Sequence, residues 1–273
     1  MHILHQPWRK IIVAVVCLTC RLFVIASDEP NLTKEQIKQF LLTAKVVKSQ
    51  QSKKGVTNTW RLTLTDGTVT HDASFQSIDE HRTMAKLGSG AIEPGFVDSY
   101  KYNIAAYALA ELLGLDDMLP VYVERKWRGD AGSLSWWLPV KMDEGQRVKE
   151  KISAPNIQAW NQQMHRIRVF DQLIYDSDPN LTNFLIGEDW TIWRVDFTRA
   201  FRLSDDLRSP TDLLRCDRQL FEKLKALNGT ELAEKTKRSL NKDEVKAVMA
   251  RRDKIVMYFQ KLISEKGENE VLY

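Results

Sequence analysis

The sequence predicts an α+β fold of two lobes, an antiparallel β-rich N-lobe and a mainly helical C-lobe, which follow an N-terminal signal-like segment. Three observations support this class. Short alternating segments separated by turn residues dominate up to about residue 140, helical periodicity dominates from residue 156, and an apolar run precedes both. We therefore divide the chain into residues 1–26, 27–140 and 141–273.

The composition excludes several classes of protein. Of the 273 residues, 43% are hydrophobic and 28% are charged, an ordinary globular balance that excludes collagen-like and low-complexity chains. The formal net charge is +4, but three basic residues lie in the first 26 positions, and the remainder carries 37 basic and 36 acidic residues. Because a near-neutral body lacks the positive surface of a phosphate-backbone binder, we expect no nucleic-acid partner.

The first 26 residues are typical of an export signal. A basic pair ends the first ten residues, an apolar run extends from Ile11 to Cys20, and Val24–Ala26 precedes a polar stretch. This order matches the basic, apolar and cleavage regions of a secretory signal. An uncleaved anchor is the alternative, although the apolar run is shorter than the about 20 residues of a spanning helix. We expect an exported or membrane-anchored protein, periplasmic or otherwise extracytoplasmic in a bacterium, that meets the membrane only through this segment.

The elements of the N-lobe are mainly strands. An Asp-Gly pair at Asp66–Gly67 lies between two alternating segments, which predicts a hairpin because both residues tolerate positive φ. One helix, Asp98–Gly114, has apolar residues at helical spacing. The predicted strands are Lys45–Lys48, Trp60–Thr65, Thr68–Phe75, Pro120–Lys126 and Ser133–Val140.

The elements of the C-lobe are mainly helices. The first long helix is predicted over Ile157–Tyr175 and the last over Lys242–Glu265. Between them, Phe184–Ile186 and Thr191–Val195 predict one hairpin that turns at Gly187.

The residues with the clearest chemistry flank this hairpin. Asn183 follows Asp178 by five positions, and Asp196 follows Asn183 by thirteen. Phosphoryl transfer requires a carboxylate near the acceptor hydroxyl and oxygen ligands for the Mg²⁺ that bridges the nucleotide phosphates. A loop that carries the first carboxylate and the asparagine, followed by a hairpin that returns the second carboxylate, supplies this geometry.

This spacing is similar to the catalytic-loop and metal-loop pattern of protein-kinase-like folds. Asp178–Phe201, together with Arg168–Ile174, resembles bacterial atypical kinase-like domains related to HipA and to the phosphatidylinositol 3-/4-kinase-like group. The layout also resembles the secretory-pathway kinases, and a weaker similarity extends from about Lys45 to Phe201.

The resemblance implies a protein-kinase-like fold that uses ATP and Mg²⁺. It implies that Asp178 is the catalytic base and that Asn183 and Asp196 are the metal ligands. The partners would be the nucleotide and a phosphate acceptor, either a protein or a small molecule, which the sequence does not identify.

The sequence departs from the kinase-like pattern at the lysine and glutamate that hold the nucleotide phosphates. Residues 57–85 contain no lysine, so that the third strand presents Gln76, and the following helix offers Asn103 in place of the glutamate. A glutamine and an asparagine can hydrogen-bond to each other without charge. Lys53, Lys54 and Lys101 are the candidates to replace the missing cation.

Two alternatives to a kinase-like phosphotransferase remain open at this point. The Gln76–Asn103 substitution favours a pseudokinase that acts as a binding or interaction module. The D-x-D sequence Asp176–Asp178 is that of a metal-binding glycosyltransferase, although such an enzyme requires a doubly wound βα domain that the N-terminal meander does not resemble.

Overall fold

The structure, a computed structural model, describes residues 30–52, 59–86, 90, 92–178 and 180–273. The chain divides into residues 1–30 and a unit of residues 31–273, which contains every described helix and strand. The predicted signal segment, residues 1–26, and the predicted phosphate-binding residues Lys53 and Lys54 lie outside the described residues.

The described residues form ten strands and eight helices, with most of the strands in the first half of the chain and most of the helices in the second. The strands are β1 Lys45–Gln51, β2 Trp60–Thr65, β3 Thr70–Gln76, β4 Asp79–Lys86, β5 Ile92–Ser99, β6 Tyr122–Trp127, β7 Asp130–Trp136, β8 Val140–Asp143, β9 Phe184–Gly187 and β10 Ile192–Arg194. The helices are α1 Lys34–Thr43, α2 Lys101–Leu113, α3 Glu144–Lys149, α4 Ile157–Ile174, α5 Arg218–Ala226, α6 Gly229–Thr236, α7 Lys242–Lys266 and α8 Glu268–Val271.

A five-stranded antiparallel sheet forms the N-lobe, with the strand order β1-β2-β3-β7-β6. The β2–β3 turn follows from Asp66–Gly67: Gly67 has φ 94°, and Asp66 Oδ1 accepts from the amides of Thr68 and Val69, each at 2.8 Å. Leu62 and Leu64 on β2 are buried and alternate with more exposed residues, as a sheet with one covered face requires. The predicted hairpin is confirmed.

Helix α1 was not expected from the sequence. The sequence pattern predicts one helix in residues 27–140, and the described part of the structure has two there, α1 and α2. Thr33 and Gln36 form a capping box that starts α1, and Phe40 and Leu41 are buried under it. The guanidinium of Arg125 on β6 donates to the carbonyl of Leu41 (2.7 Å). The prediction of a single N-lobe helix is therefore wrong, because the capping signal lies in a polar stretch with few apolar positions.

Strands β4 and β5 form a separate two-stranded ribbon. Most of their side chains are at least partly exposed, so the apolar alternation that marks a half-buried strand is weak, and the sequence did not predict them. Their last paired residues, Asp79 and Ser99, lie beside the start of α2. Asp98 and Ser99, at the end of this ribbon, thus lie at the edge of the C-lobe, where the Ser99 amide donates to the Thr198 carbonyl.

The C-lobe packs around α4 and α7, with a small antiparallel sheet in the order β10-β9-β8. The fully buried Arg251 on α7 donates from Nε to the carbonyl of Leu173 near the end of α4 (2.8 Å), which satisfies a carbonyl of the last helical turn. The predicted helices and hairpin of this half are present, and the α+β class is confirmed. In the described part of the chain, no helix has the length and apolar character needed to cross a membrane.

Candidate functional site

The β9–β10 hairpin brings Asn183 and Asp196 together. After α4 the chain passes through a 3₁₀ turn, Leu181–Asn183, into β9. The Val195 amide donates to the carbonyl of Asn183 (3.0 Å), so that Asp196 follows directly beside it. Asn183 is buried, Asp196 is partly exposed, and both line one cavity of about 820 Å³. This volume falls within the range of small-molecule and cofactor sites.

Asp196 is held in an unusual backbone conformation with neutral partners. Its φ is 62°, in the left-handed region that residues other than glycine seldom adopt. Its Oδ1 accepts from the Thr198 hydroxyl (3.2 Å) and, in a longer contact, from Gln76 Nε2 (3.4 Å). Desolvation raises the pKa of the Asp196 carboxyl, and the negative charge of Asp98 raises it further. The site therefore favours a cation beside this carboxylate.

Asn103 joins β3, α2 and the loop of residues 195–200. Its Nδ2 donates to Gln76 Oε1 (2.7 Å) and to Ser133 Oγ (3.0 Å), and its Oδ1 accepts from the Phe197 amide (2.8 Å). Asn103 is fully buried and all three of its partners are buried as well or belong to the backbone. Gln76 and Asn103, which the sequence comparison aligned with the lysine and glutamate of kinase-like folds, thus form a hydrogen-bonded neutral pair. Gln76 lines the cavity, and Asn103 positions Gln76 from behind.

Asp178 lies on the segment that connects α4 to the 3₁₀ turn. It is partly exposed, and its amide donates to Asp176 Oδ1 (3.0 Å). It is not among the residues that line the cavity, so the structure brings Gln76, Asn183 and Asp196 together and leaves Asp178 on the adjoining segment.

The buried Arg194 ties this segment to β10. Its guanidinium, 1% exposed, pairs with Asp176, donates to the Val195 carbonyl (2.5 Å) and lies 3.3 Å from Asp171 Oδ1. Because Asp176 is occupied by Arg194, it is not free to bind a metal, and the sheets are antiparallel rather than doubly wound. The D-x-D glycosyltransferase alternative is therefore wrong.

Among the residues that the structure describes, two basic side chains line the cavity, and both already have acidic partners. Arg61 Nη2 lies 2.5 Å from Asp72 Oδ2, and its guanidinium packs on Trp137 at 4.3 Å from the ring centre. Lys141 Nζ lies 3.3 Å from Glu188 Oε2. Neither supplies an uncompensated positive charge to a phosphate.

The donor set fits a divalent cation held partly by a nucleotide. Within the described ranges, no cluster of three His, Cys, Asp or Glu side chains is arranged to hold a metal ion. Mg²⁺ in phosphoryl-transfer sites commonly has one or two carboxylates, with phosphate oxygens and water as its other ligands. The Asn183 Oδ1 is the atom of this side chain that could bind a cation, and its buried Nδ2, a donor without a hydrogen-bond partner among the described residues, is free to donate to a ligand oxygen.

Several residues of the site were not predicted from the sequence. Thr198 and Ser133 hydrogen-bond to Asp196 and Asn103, Arg194 holds the segment before the hairpin, and Asp98 lies within electrostatic range of Asp196. Only Thr198 has a local signal, its position two residues after Asp196. The others come from distant elements, and no spacing in the sequence connects them.

Two solved structures are similar to this chain over most of its length. The structure of hydra Fam20 with sugar covers 88% of this chain and 91% of its own, with a TM-score of 0.64 and 16% identity. The Golgi casein kinase covers 88% of this chain and 77% of its own, with a TM-score of 0.62 and 14% identity. No protein-family model and no curated protein matches the sequence.

At these identities the similarity shows the fold. The chain has an atypical protein-kinase-like fold with a β-rich N-lobe and a helical C-lobe. The expectation that followed from the resemblance in the sequence is confirmed at that level.

Proposed function

We propose that this chain is a phosphotransferase that binds ATP with Mg²⁺ in the cavity beside Asp196. One observation carries the proposal: the Asp196 carboxylate, which has neutral hydrogen-bond partners, lines a cavity of about 820 Å³ together with Asn183. A desolvated carboxylate without a cationic partner is unfavourable unless a cation compensates it. A divalent ion with its nucleotide provides that compensation.

The proposed roles follow from the chemistry of each side chain. Asn183 and Asp196 would hold Mg²⁺, which when bound neutralises charge on the nucleotide phosphates. Asp178 would accept the proton of the acceptor hydroxyl as that oxygen attacks the terminal phosphorus, while the bond from this phosphorus to the bridging oxygen breaks and ADP leaves. The contact of its amide with Asp176, which Arg194 holds in turn, fixes the backbone that carries this base.

The neutral Gln76–Asn103 pair favours a second candidate function, an interaction module of the pseudokinase type. A positioned donor to developing phosphate charge contributes on the order of 3 kcal/mol of transition-state stabilisation, and Gln76 carries no charge to supply it. That Lys53 or Lys54 supplies this positive charge stays a prediction from the sequence. Under the second function the cavity would bind nucleotide, or no ligand, without turnover.

A melting experiment on the full chain with ATP and Mg²⁺ tests nucleotide binding. We expect saturating Mg-ATP to raise the melting temperature by about 5 °C. The rise should disappear in Asp196→Asn and persist in Asp130→Asn, the same chemical change at the exposed first residue of β7. An equal melting temperature with and without Mg-ATP in the unmodified protein would contradict the proposal and favour the nucleotide-free module.

Phosphate transfer is tested separately with ATP labelled on the terminal phosphate. Casein and a panel of sugars are the first acceptors to try, because the similar structures are a Golgi casein kinase and a Fam20 protein with sugar. We expect Asp178→Asn to lower any transfer rate at least about a hundredfold and to leave the melting shift with Mg-ATP unchanged. Binding without transfer to protein, sugar or water would favour the interaction module.

We also propose that the protein is exported through residues 1–26. The order of basic, apolar and small residues supports this, as does the similarity to the structure of a Golgi casein kinase. The mass of the protein recovered from its native host checks it: cleavage predicts a chain that begins after Ala26. A full-length mass in a soluble cytosolic fraction would contradict export.

A further inference from the structure

Glu93, on strand β5 of the β4–β5 ribbon, binds two arginines of the segment that follows Asp196. Its Oε2 accepts from Arg199 Nη2 (2.5 Å), and its Oε1 pairs with Arg202 Nη2 (2.6 Å), so that both carboxylate oxygens are used. The three side chains are mostly enclosed, with between 13% and 20% of each exposed. Charge-assisted bonds of this kind fix the geometry of the groups they join. The ribbon is thereby tied to residues 199–202.

Glu93 also keeps two like charges together. Burial lowers the pKa of the Arg202 guanidinium, the charge of Glu93 opposes this effect, and the positive charge of Arg199 adds to it. Both guanidinium groups lie over the ring of Phe96, at 5.2 and 5.9 Å from its centre. Without the carboxylate these two cations would repel each other in a place with little water. We therefore expect them to move apart when Glu93 is lost.

The same two arginines are bonded to the segment that carries Asp178. Ser177 Oγ donates to the Arg199 carbonyl (2.8 Å), and Arg202 Nη2 donates to Ser177 Oγ (3.3 Å). Ser177 directly precedes Asp178 in the chain. A continuous series of contacts therefore leads from Glu93 through the arginines and Ser177 to the backbone of Asp178.

The backbone of residues 196–202 depends on tertiary contacts for its shape. Asp196 and Phe201 have φ of 62° and 57°, in the left-handed region. Residues other than glycine keep this conformation only where the surrounding structure fixes them. The Phe201 amide donates to the carbonyl of Ile174, the last residue of α4 (2.6 Å). The end of α4 and the carboxylate of Glu93 thus hold this segment from two sides.

We propose that Glu93 is a positioning residue that acts through the two arginines and Ser177 on the base Asp178. This inference rests on the proposed function, in which Asp178 accepts the proton of the acceptor hydroxyl. A reacting group displaced by about 1 Å can lose on the order of a hundredfold in rate, because the reaction requires close alignment. Glu93 is not among the residues that line the cavity, so its loss should affect transfer and leave nucleotide binding intact.

Kinetics with ATP labelled on the terminal phosphate test this role in the full chain. The acceptor is whichever of casein and the sugars the unmodified protein phosphorylates fastest. We expect Glu93→Gln to lower kcat at least about tenfold, to change the KM for ATP less than about twofold, and to keep the melting shift with Mg-ATP. Ser177→Ala interrupts the same series of contacts nearer to the base and should give a similar loss. The control is Glu80→Gln, the same chemical change on the same ribbon at a residue paired with Arg82 on the surface, which should keep the unmodified kcat.

A double-mutant comparison separates positioning from a general structural effect. If Glu93 acts through Asp178, Glu93→Gln should lower the rate less than about twofold when Asp178→Asn is already present. An equal loss in both backgrounds, an unmodified rate in Glu93→Gln or in Ser177→Ala, or failure of Glu93→Gln to fold would overturn the inference and leave the proposed function standing. Absence of transfer to every acceptor by the unmodified protein would refute both.

Discussion

At the scale of single residues, Asn103 determines where the 195–200 loop lies. One side chain donates to Gln76 and Ser133 and accepts from the Phe197 amide, so three elements meet at a single buried amide. No other side chain of that size offers two donors and an acceptor in this geometry. The position of Asp196, one residue before Phe197, therefore depends on Asn103.

We expect Asn103→Ala to lower the free energy of unfolding by about 3 kcal/mol, because buried partners lose their hydrogen bonds and a small cavity remains. Urea denaturation measures the change. The matched control is Asn269→Ala, at an exposed residue of α8, for which we expect a change within about 0.5 kcal/mol. A loss below about 1 kcal/mol for Asn103→Ala would show that the network contributes little.

The raised pKa of Asp171 predicts that the free energy of unfolding depends on pH. Burial raises the pKa of its carboxyl to about 7 from an ordinary value of 3.8, against the attraction of Arg194. A carboxyl with a higher pKa in the folded state favours the fold below pH 3.8, and this contribution is lost as the pH rises to about 7. We expect the free energy of unfolding to fall less between pH 4 and 7 in Asp171→Asn than in the unmodified protein.

Urea denaturation at the two ends of this pH range measures the difference. Asp130→Asn is the control, since it makes the same chemical change at an exposed residue. Equal slopes for Asp171→Asn and the unmodified protein would mean that Asp171 titrates normally.

Residues joined by a regular element could be predicted from the sequence, and residues joined by the tertiary fold could not. Asn183 and Asp196 are brought together by one hairpin, and its strand lengths are visible in the chain. Asp98 and Arg194 meet Asp196 and Asp176 through contacts between separate elements. No local pattern encodes these contacts, because they depend on how the β4–β5 ribbon and α4 pack.

At the scale of elements, the strands that flank clear turn residues could be predicted from the sequence, and elements with little buried surface could not. The β2–β3 and β6–β7 turns have positive φ at Gly67, Arg128 and Gly129, and each follows an alternating strand. The β4–β5 ribbon has few buried side chains, and α1 has its cap in a polar stretch. Apolar periodicity indicates a helix or strand by the residues of its buried face. An element with little buried surface therefore gives no such pattern.

The capping box of α1 gives a test at this scale. We expect Thr33→Ala to lower the free energy of unfolding by about 1 kcal/mol, because the amide of Gln36 loses its acceptor. Thr43→Ala in the last turn of the same helix is the matched control, since its hydroxyl bonds only back to the Gln39 carbonyl. Thermal unfolding of both variants measures the difference, and equal effects would contradict a capping role.

At the scale of the whole 31–273 unit, α2 belongs to both lobes. It packs on β6 and β7 on one side and on α5 and α6 on the other, and most of its residues are buried. The hydroxyl of Tyr102 donates to Glu244 Oε1 on α7 (2.5 Å), and two backbone bonds, Ser99 to Thr198 and Arg194 to Met118, join the same two halves. A cavity that depends on residues of both lobes is thereby held in one geometry.

This coupling predicts that residues 31–273 unfold in one cooperative step and that a single interlobe contact shifts the whole transition. We expect Tyr102→Phe to lower the free energy of unfolding by about 2 kcal/mol, because a buried bond to a charged carboxylate is lost. Tyr258→Phe on α7 is the control, since the Tyr258 hydroxyl has no hydrogen bond within the described residues.

In Tyr102→Phe we expect calorimetry and circular dichroism to give one and the same midpoint temperature. This midpoint should lie below that of the unmodified protein. A second transition would show that the lobes are stable separately. In that case the alignment of Gln76 with Asp196 would depend on ligand binding rather than on the fold, and the affinity for Mg-ATP would include the free energy of closing the two lobes.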